Sequence, residues 1–195
     1  MALFKTYSDI DIDYGEIARY MRAKPSPEIN ALIETCLKEA EGALSYRVVY
    51  DIFPVAKNEE SADNGYIDLH FAKVQSKDLY KNLKDCNRIV LFAATVGVGV
   101  DRLIAKYSYT EPSKALCFEA IGNERVESLC DRFNEEVKAQ YKTVPRYSPG
   151  YGDLSLELQR DIFKILPCAR IGLSLNDSLL MSPSKSVTAI IGIAD

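Results

Sequence analysis

Residues 87–97 read NRIVLFAATVG, and from Ile89 to Val96 the run is apolar except for Thr95. A half-buried strand would alternate, and an amphipathic helix would leave a polar face; a short continuous run like this predicts a strand buried on both faces. Working outward, residues 97–108 (GVGVDRLIAKYS) predict a helix and 76–84 a short helix before the strand. Residues 46–55 (YRVVYDIFPV), rich in β-branched and aromatic residues, predict a second strand. YIDLHF at 66–71 alternates Ile67, Leu69 and Phe71 against Asp68 and His70, the pattern of a half-buried strand, after a polar loop with a turn signal at Asn64-Gly65. TAIIGI at 188–193 predicts a final strand.

Helical spacing of Ile17, Tyr20 and Met21 predicts a helix over 13–22. Ser26-Pro27-Glu28 then opens a second helix, with a cap followed by proline, and Ile29, Leu32, Ile33, Cys36 and Leu37 as its buried stripe. Thr110-Glu111-Pro112 opens the longest helix, expected to reach about Tyr141, with Val126, Leu129, Cys130, Phe133 and Val137 on one face. Glu127 lies about 100° around from Val126, on the shoulder of that face. Leu158, Ile162, Ile165 and Leu166 mark a last helix, with Asp153 or Ser155 as candidate caps and Pro167 as its end. Strands and helices mix without a βαβ rhythm. The expected class is α+β: a mixed, largely antiparallel sheet with flanking helices, in one domain over 1–195, with a helical segment at 1–44 and a core at 45–195.

Composition narrows the function classes. The chain has 195 residues, 47% hydrophobic and 27% charged, enough apolar side chains for a sizeable core. A net charge of −4 argues against nucleic acid as the main partner. Five scattered cysteines without a C-x-x-C predict reduced thiols, and a single histidine, His70, leaves metal or triad chemistry without its ligands. No apolar run approaches a membrane span or a signal peptide, so a cytoplasmic protein is expected. Gly97-Val98-Gly99 invites a nucleotide reading, but Arg102 stands where G-x-G-x-x-G needs its third glycine; a strand-to-helix turn suffices.

The most constrained segment is RYSPGYGD at 146–153, with Pro145 before it. Prolines and glycines together shape a loop before anything binds. Arg146 offers a rigid fork of donors for a carboxylate or phosphate, and Tyr147 and Tyr151 offer flat apolar faces with polar tips. These suit a small zwitterionic or nucleoside-bearing ligand. On these residues alone, a packed connector with Arg146 in a surface salt bridge is the commoner arrangement and the preferred reading.

The loop also carries a resemblance. Arg146, Pro149, Gly150 and Tyr151 match R-x-x-P-G-Y; Ile171, Gly172, Leu175 and Ser178 match a following I-G-x-x-L-x-x-S segment; Met181, Pro183, Ser186, Val187 and Thr188 match M-x-P-x-x-S-V-[ST]. In order and spacing this resembles the activation (S-adenosylmethionine-binding) domain of cobalamin-dependent methionine synthase, in its stand-alone form. The resemblance implies an activation-domain-like fold and a groove for S-adenosylmethionine. Arg146 would hold the methionyl end, Ser148 and Gly150 would contribute backbone groups, Tyr151 would lie beside the ligand, and Glu127 would add a carboxylate.

It further implies a role in methionine biosynthesis: reductive reactivation of an oxidised vitamin B12 corrinoid, in which methylation by S-adenosylmethionine pulls an uphill reduction forward. A flavodoxin- or ferredoxin-type protein would supply the electron. The protein would position the methyl donor, so no catalytic side chain is expected. No cobalamin-binding D-x-H-x-x-G is present. The corrinoid would therefore arrive on a partner, a methionine synthase lacking its own activation domain. A protein that binds or senses S-adenosylmethionine, or serves another corrinoid methyltransferase, remains the alternative, and a nucleophilic Cys130 or Cys168 a remoter one. Two departures stand out: Gly152-Asp153-Leu154-Ser155 replaces the C-P-[DE]-H stretch of the full-length enzymes, and Arg22 stands where they carry an aspartate near the ligand's amino end.

Overall fold

A computed structural model of the chain describes residues 1–57 and 65–194. Along the chain run β1 (Leu3–Tyr7), α1 (Tyr14–Tyr20), α2 (Pro27–Ala40), β2 (Tyr46–Pro54), β3 (Ala56–Lys57), β4 (Tyr66–Asp68), β5 (Lys73–Gln75) and α3 (Lys77–Asn82). Then follow β6 (Cys86–Thr95), α4 (Gly99–Tyr107), α5 (Pro112–Lys138), β7 (Lys142–Thr143), α6 (Leu158–Ile165), a 3-10 turn (Cys168–Ile171), β8 (Ser174–Leu175), β9 (Met181–Ser182) and β10 (Ser186–Ala194).

The apolar run of 89–96 lies at the centre of a five-stranded antiparallel sheet, in the order β1-β2-β6-β10-β7. Its two faces explain why it does not alternate. Ile89, Leu91 and Ala93 pack with Val49 and Ile190 against Leu79, Leu158 and Ile162 of α3 and α6. Val90, Phe92 and Ala94 pack with Val48 and Ile191 against Leu129, Cys130 and Phe133 of α5. Phe133 is the keystone of that second face, its ring centroid 5.0 Å from Tyr50 and 4.9 Å from Phe92. Burying a side chain of this size contributes roughly 1.5–3 kcal/mol, so the five-residue stripe of α5 outweighs any local propensity in fixing where the helix lies.

α5 spans 27 residues, about 40 Å at 1.5 Å per residue, long enough to serve two layers. Its first half turns Cys117, Phe118 and Ile121 toward Ile17, Ile33 and Cys36 of α1 and α2. The layers are thus α3 and α6, the sheet, α5 with α4, and outermost α1 with α2. Asp13 and Ser26 cap α1 and α2 by accepting from the backbone N–H groups of Glu16 and Ile29, with Pro27 in the first turn of α2.

Three local expectations need correcting. The 1–44 segment, expected to be helical, also supplies β1, an edge strand paired with β2 from Leu3↔Tyr50 to Tyr7↔Tyr46. The 66–71 strand ends at Asp68, because the Asp68 carboxylate accepts from the His70 N–H at 2.8 Å and His70 turns to φ 72°. At α6, which begins at Leu158, the Ser155 hydroxyl accepts from the Glu157 N–H in the turn before the helix; Asp153 instead adds to the Ser76 cap of α3 by accepting from the Lys77 and Asp78 N–H groups. Asn64 of the expected Asn64-Gly65 turn lies outside the described residues.

Candidate functional site

The loop after β7 is tied to β10 at two residues, Val144, whose N–H donates to the Gly192 carbonyl at 3.1 Å, and Tyr147. Tyr147 exchanges both backbone hydrogen bonds with Ile190 of β10, at 2.8 and 2.9 Å. Alternation then sets the neighbours apart: Tyr147 packs toward the α3/α6 core, and Arg146 turns to the α5 side. Beyond Tyr147 the chain closes on itself. Tyr151 N–H donates to the Ser148 carbonyl, Gly150 N–H to the Leu154 carbonyl, and Leu154 N–H to the Tyr151 carbonyl. Gly150 and Gly152 adopt φ +89° and +51°. A Cβ on Gly152 would stand 2.3 Å from Asp78 Oδ2 and 2.5 Å from the Tyr147 hydroxyl, so the loop closes this tightly only with glycine there.

Asp153 ends the loop and locks it to α3. Its carboxylate accepts from the Ser76 hydroxyl and from the backbone N–H groups of Lys77 (2.7 Å) and Asp78. The Ser76 hydroxyl and these amides hold the Asp153 carboxyl below the usual aspartate range, against a smaller desolvation effect. Bonds made within the chain thus set the shape of the loop.

Sequence reasoning named Glu127 and Arg146, nineteen residues apart, and the structure brings them together: Arg146 Nη2 lies 2.5 Å from Glu127 Oε2. It also adds Asp131, one helical turn on from Glu127, which accepts from Arg146 Nη1. Asn134 joins them when its amide is oriented to offer its oxygen to Arg146 Nη1, at 2.6 Å. Burial opposes the guanidinium charge, but the hydrogen bond to Asp131 and the surrounding negative charge leave the Arg146 pKa above the ordinary arginine value. The salt-bridge reading of Arg146 is thus true of the structure, and both carboxylates belong to the shoulder of α5 facing the loop. Asp131 escaped the sequence reading because an acidic residue on an exposed helix shoulder is usually solvated; its i+4 relation to Glu127 was the available signal.

The other predicted site residues fall on the same loop. Ser148 is buried, its carbonyl engaged by Tyr151, and the Gly150 N–H is engaged by Leu154. Tyr151 is 58% exposed, its ring edge-on to Tyr147 at 6.2 Å and its carbonyl accepting from the Tyr147 hydroxyl. The exposed Tyr151 face, the Arg146 fork and the Glu127 and Asp131 carboxylates make a surface of one cation, two anions and an aromatic. Arg22 is exposed, at φ 55° just after α1.

The MSPSKSV segment packs into the fold. Ser184 bonds Asp101 of α4 through its N–H and hydroxyl, Lys185 bonds Glu119 and Asn123 of α5, and the Ser186 hydroxyl donates to Thr95.

Other chemistries find little support. All five cysteines are buried thiols. Burial pushes the Cys168 thiol up to about 12 and raises that of Cys130 as well, the opposite of an activated nucleophile. His70 is exposed and stacks on Phe53. Among the described residues no group of three or more His, Cys, Asp or Glu side chains is placed to hold a metal, and no helix is long and apolar enough to cross a membrane.

No family model matches the chain, and a comparison with curated proteins finds no match. The fold is nevertheless that of an activation domain. The chain superposes along its whole length on a crystal structure of the MetH reactivation domain bound to AdoHcy, with a TM-score of 0.68 at 15% sequence identity, covering 78% of that chain. The mixed helical and antiparallel architecture expected from the sequence is therefore the one found.

Proposed function

We propose that this protein binds S-adenosylmethionine at the Arg146 loop and acts as a stand-alone accessory protein in reactivating, by methylation, the corrinoid of a cobalamin-dependent methionine synthase that lacks its own activation domain. The observation that carries the reading is the Arg146–Glu127–Asp131 cluster, beside a loop of fixed shape, in the fold of a domain crystallised with AdoHcy.

The donor set fits such a ligand. Arg146 presents N–H donors to the methionyl carboxylate; Glu127 and Asp131 present acceptors to the ammonium and ribose hydroxyls; Tyr151 offers an exposed ring face. Ser148 and Gly150 act by closing the loop that holds these groups. The corrinoid would supply the nucleophile and reach the site on the partner. This chain's residues would bind the methyl donor, orient it and hold it still, a role worth several orders of magnitude in effective concentration. A flavodoxin- or ferredoxin-type protein completes the proposed partnership as electron donor.

The first test is calorimetric titration of S-adenosylmethionine into the wild type and Arg146→Ala. Saturable binding that weakens tenfold or more in the variant, about 1.5–3 kcal/mol for a charged hydrogen bond, is expected. Absence of binding both alone and with a corrinoid methionine synthase would overturn the reading. Binding without restoration of that partner's activity would leave a protein that senses S-adenosylmethionine or serves another corrinoid enzyme.

A further inference from the structure

The Gly97-Val98-Gly99 turn has no part in the Arg146 site, yet it walls a second recess. This recess, of about 500 Å3, lies between the 42–45 turn, the 97–99 turn and α4, and Arg47, Arg102 and Lys106 line it. Its volume is in the range of small-molecule sites.

Arg47 is the unusual group. It leaves β2 in the row shared with Thr95 and Ser186, and its guanidinium lies between two backbone turns. Nη2 donates to the Ser45 hydroxyl at 2.8 Å. A Cβ on Gly97 (φ +84°) would stand 3.7 Å from Nη2, and one on Gly172 would stand 3.5 Å from Nη1. The Gly97 Cβ would also strike Ser45 Oγ at 2.3 Å, so the residue that sets Arg47 needs glycine opposite it. Within this cradle the Nε of Arg47 is buried and, among the described residues, has no hydrogen-bond partner. Arg47 also lines the recess, so its side chain forms part of the wall.

Charge adds a second argument. Among the described residues, neither Arg47 nor Arg102 has a carboxylate within ion-pair distance. Two of the nearby acids are committed elsewhere, Asp101 to Ser184, and Glu39 to Lys106 (2.8 Å) and the Tyr107 hydroxyl. Two unneutralised guanidinium groups thus share one recess on a chain whose net charge is −4.

We propose that this recess is an anion site for a phosphate-bearing small ligand, with the phosphate bridged by Arg47 and Arg102. Guanidinium forks match phosphate oxygens in pairs, and a dianion answers two cations where a single carboxylate answers one. The recess is walled by the 42–45 turn, the 97–99 turn and α4, which favours a small ligand over a docked partner. The site is independent of the Arg146 reading.

The test is titration of inorganic phosphate into the full chain, followed by amide NMR, with sodium chloride at matched ionic strength as the control. Saturable shifts at Ser45, Arg47 and Val98–Gly99 in phosphate alone are expected. Arg47→Gln and Arg102→Gln should each weaken binding by about tenfold or more. Arg102 is exposed, so its variant keeps the fold if Arg47→Gln does not. Adenosine 5′-monophosphate against adenosine then separates a phosphorylated metabolite, bound more tightly than phosphate, from free phosphate. Shifts equal to those in chloride, unchanged affinity in Arg102→Gln, or binding of a polyglutamate peptide without phosphate would each overturn the proposal.

Discussion

Arg146 carries two carboxylates where one would neutralise it. With Glu127 and Asp131 the cluster sums to one negative charge. S-adenosylmethionine has an ammonium, a sulfonium and a carboxylate, a net charge of +1; S-adenosylhomocysteine has lost the sulfonium and is neutral. On the proposed function, the cluster therefore favours the methyl donor over the spent product, and Asp131 is the residue to test. Asp131→Asn releases part of Arg146 for the methionyl carboxylate, but that carboxylate is common to both ligands and cancels in their ratio. The preference for the donor should then fall by roughly two- to fivefold, in keeping with about 0.5–1 kcal/mol for an exposed charge, and should shrink in salt for the wild type. Parallel calorimetric titrations of both ligands measure it. An unchanged ratio would remove electrostatic discrimination from the cluster.

At the scale of elements, the loop is a strap between β10 and α3. Tyr147 fastens one end by the bridge to Ile190, and Asp153 fastens the other by capping α3. Because the folded-state pKa of Asp153 is depressed, its contribution to stability is complete above the ordinary aspartate value and is lost as pH falls through the folded value. Asp153→Ala should therefore lower the thermal midpoint by a few degrees at neutral pH, and the gap to wild type should close on acidification below the usual aspartate range. Thermal unfolding across pH decides it; a gap that persists at the acid end would show that the loss came from packing. The same residue shows where sequence reading stops. Element types were legible wherever periodicity reported burial, as in the 89–96 run and the Val126–Val137 stripe. Asp153 was read as a cap for the nearest helix because local pattern carries no information about Ser76, 77 residues away. β1 was missed because an edge strand with exposed side chains shows no alternation to read. Within the candidate site, Arg146, Tyr151 and Glu127 were legible through loop chemistry and family resemblance. Asp131 and Asn134 emerged only when α5 was set against the loop.

At the scale of the molecule, the sheet and the outer helical layer are joined by a buried ion pair that no sequence pattern announced. Glu124 and Arg125 on α5 are each about 1% exposed and pair at 2.5 Å. Arg125 Nη1 donates to the Ile10 carbonyl at 2.8 Å and Nη2 to that of Asp11, while Glu124 Oε1 accepts from the Asp13 N–H at 3.1 Å and the Ser128 hydroxyl at 2.7 Å. The pair thereby pins residues 10–13, the link between β1 and α1. Buried pairs contribute little net stability when whole, but removing one partner leaves the other charged and unsatisfied, at a cost of about 3–5 kcal/mol. Glu124→Gln should destabilise the protein by that order in denaturant unfolding. It should do so unevenly, since the Asp13 contact and the anchor of Arg125 weaken together. Hydrogen exchange should then quicken first in β1 and the 10–13 link, while the β6 and β10 amides at the centre of the sheet hold until global unfolding. Uniform quickening across the sheet would mean instead that the pair supports α5 as a whole. In that case the register of the long helix, and with it the placing of Glu127 and Asp131 against Arg146, would depend on a charge pair one to two turns earlier along it.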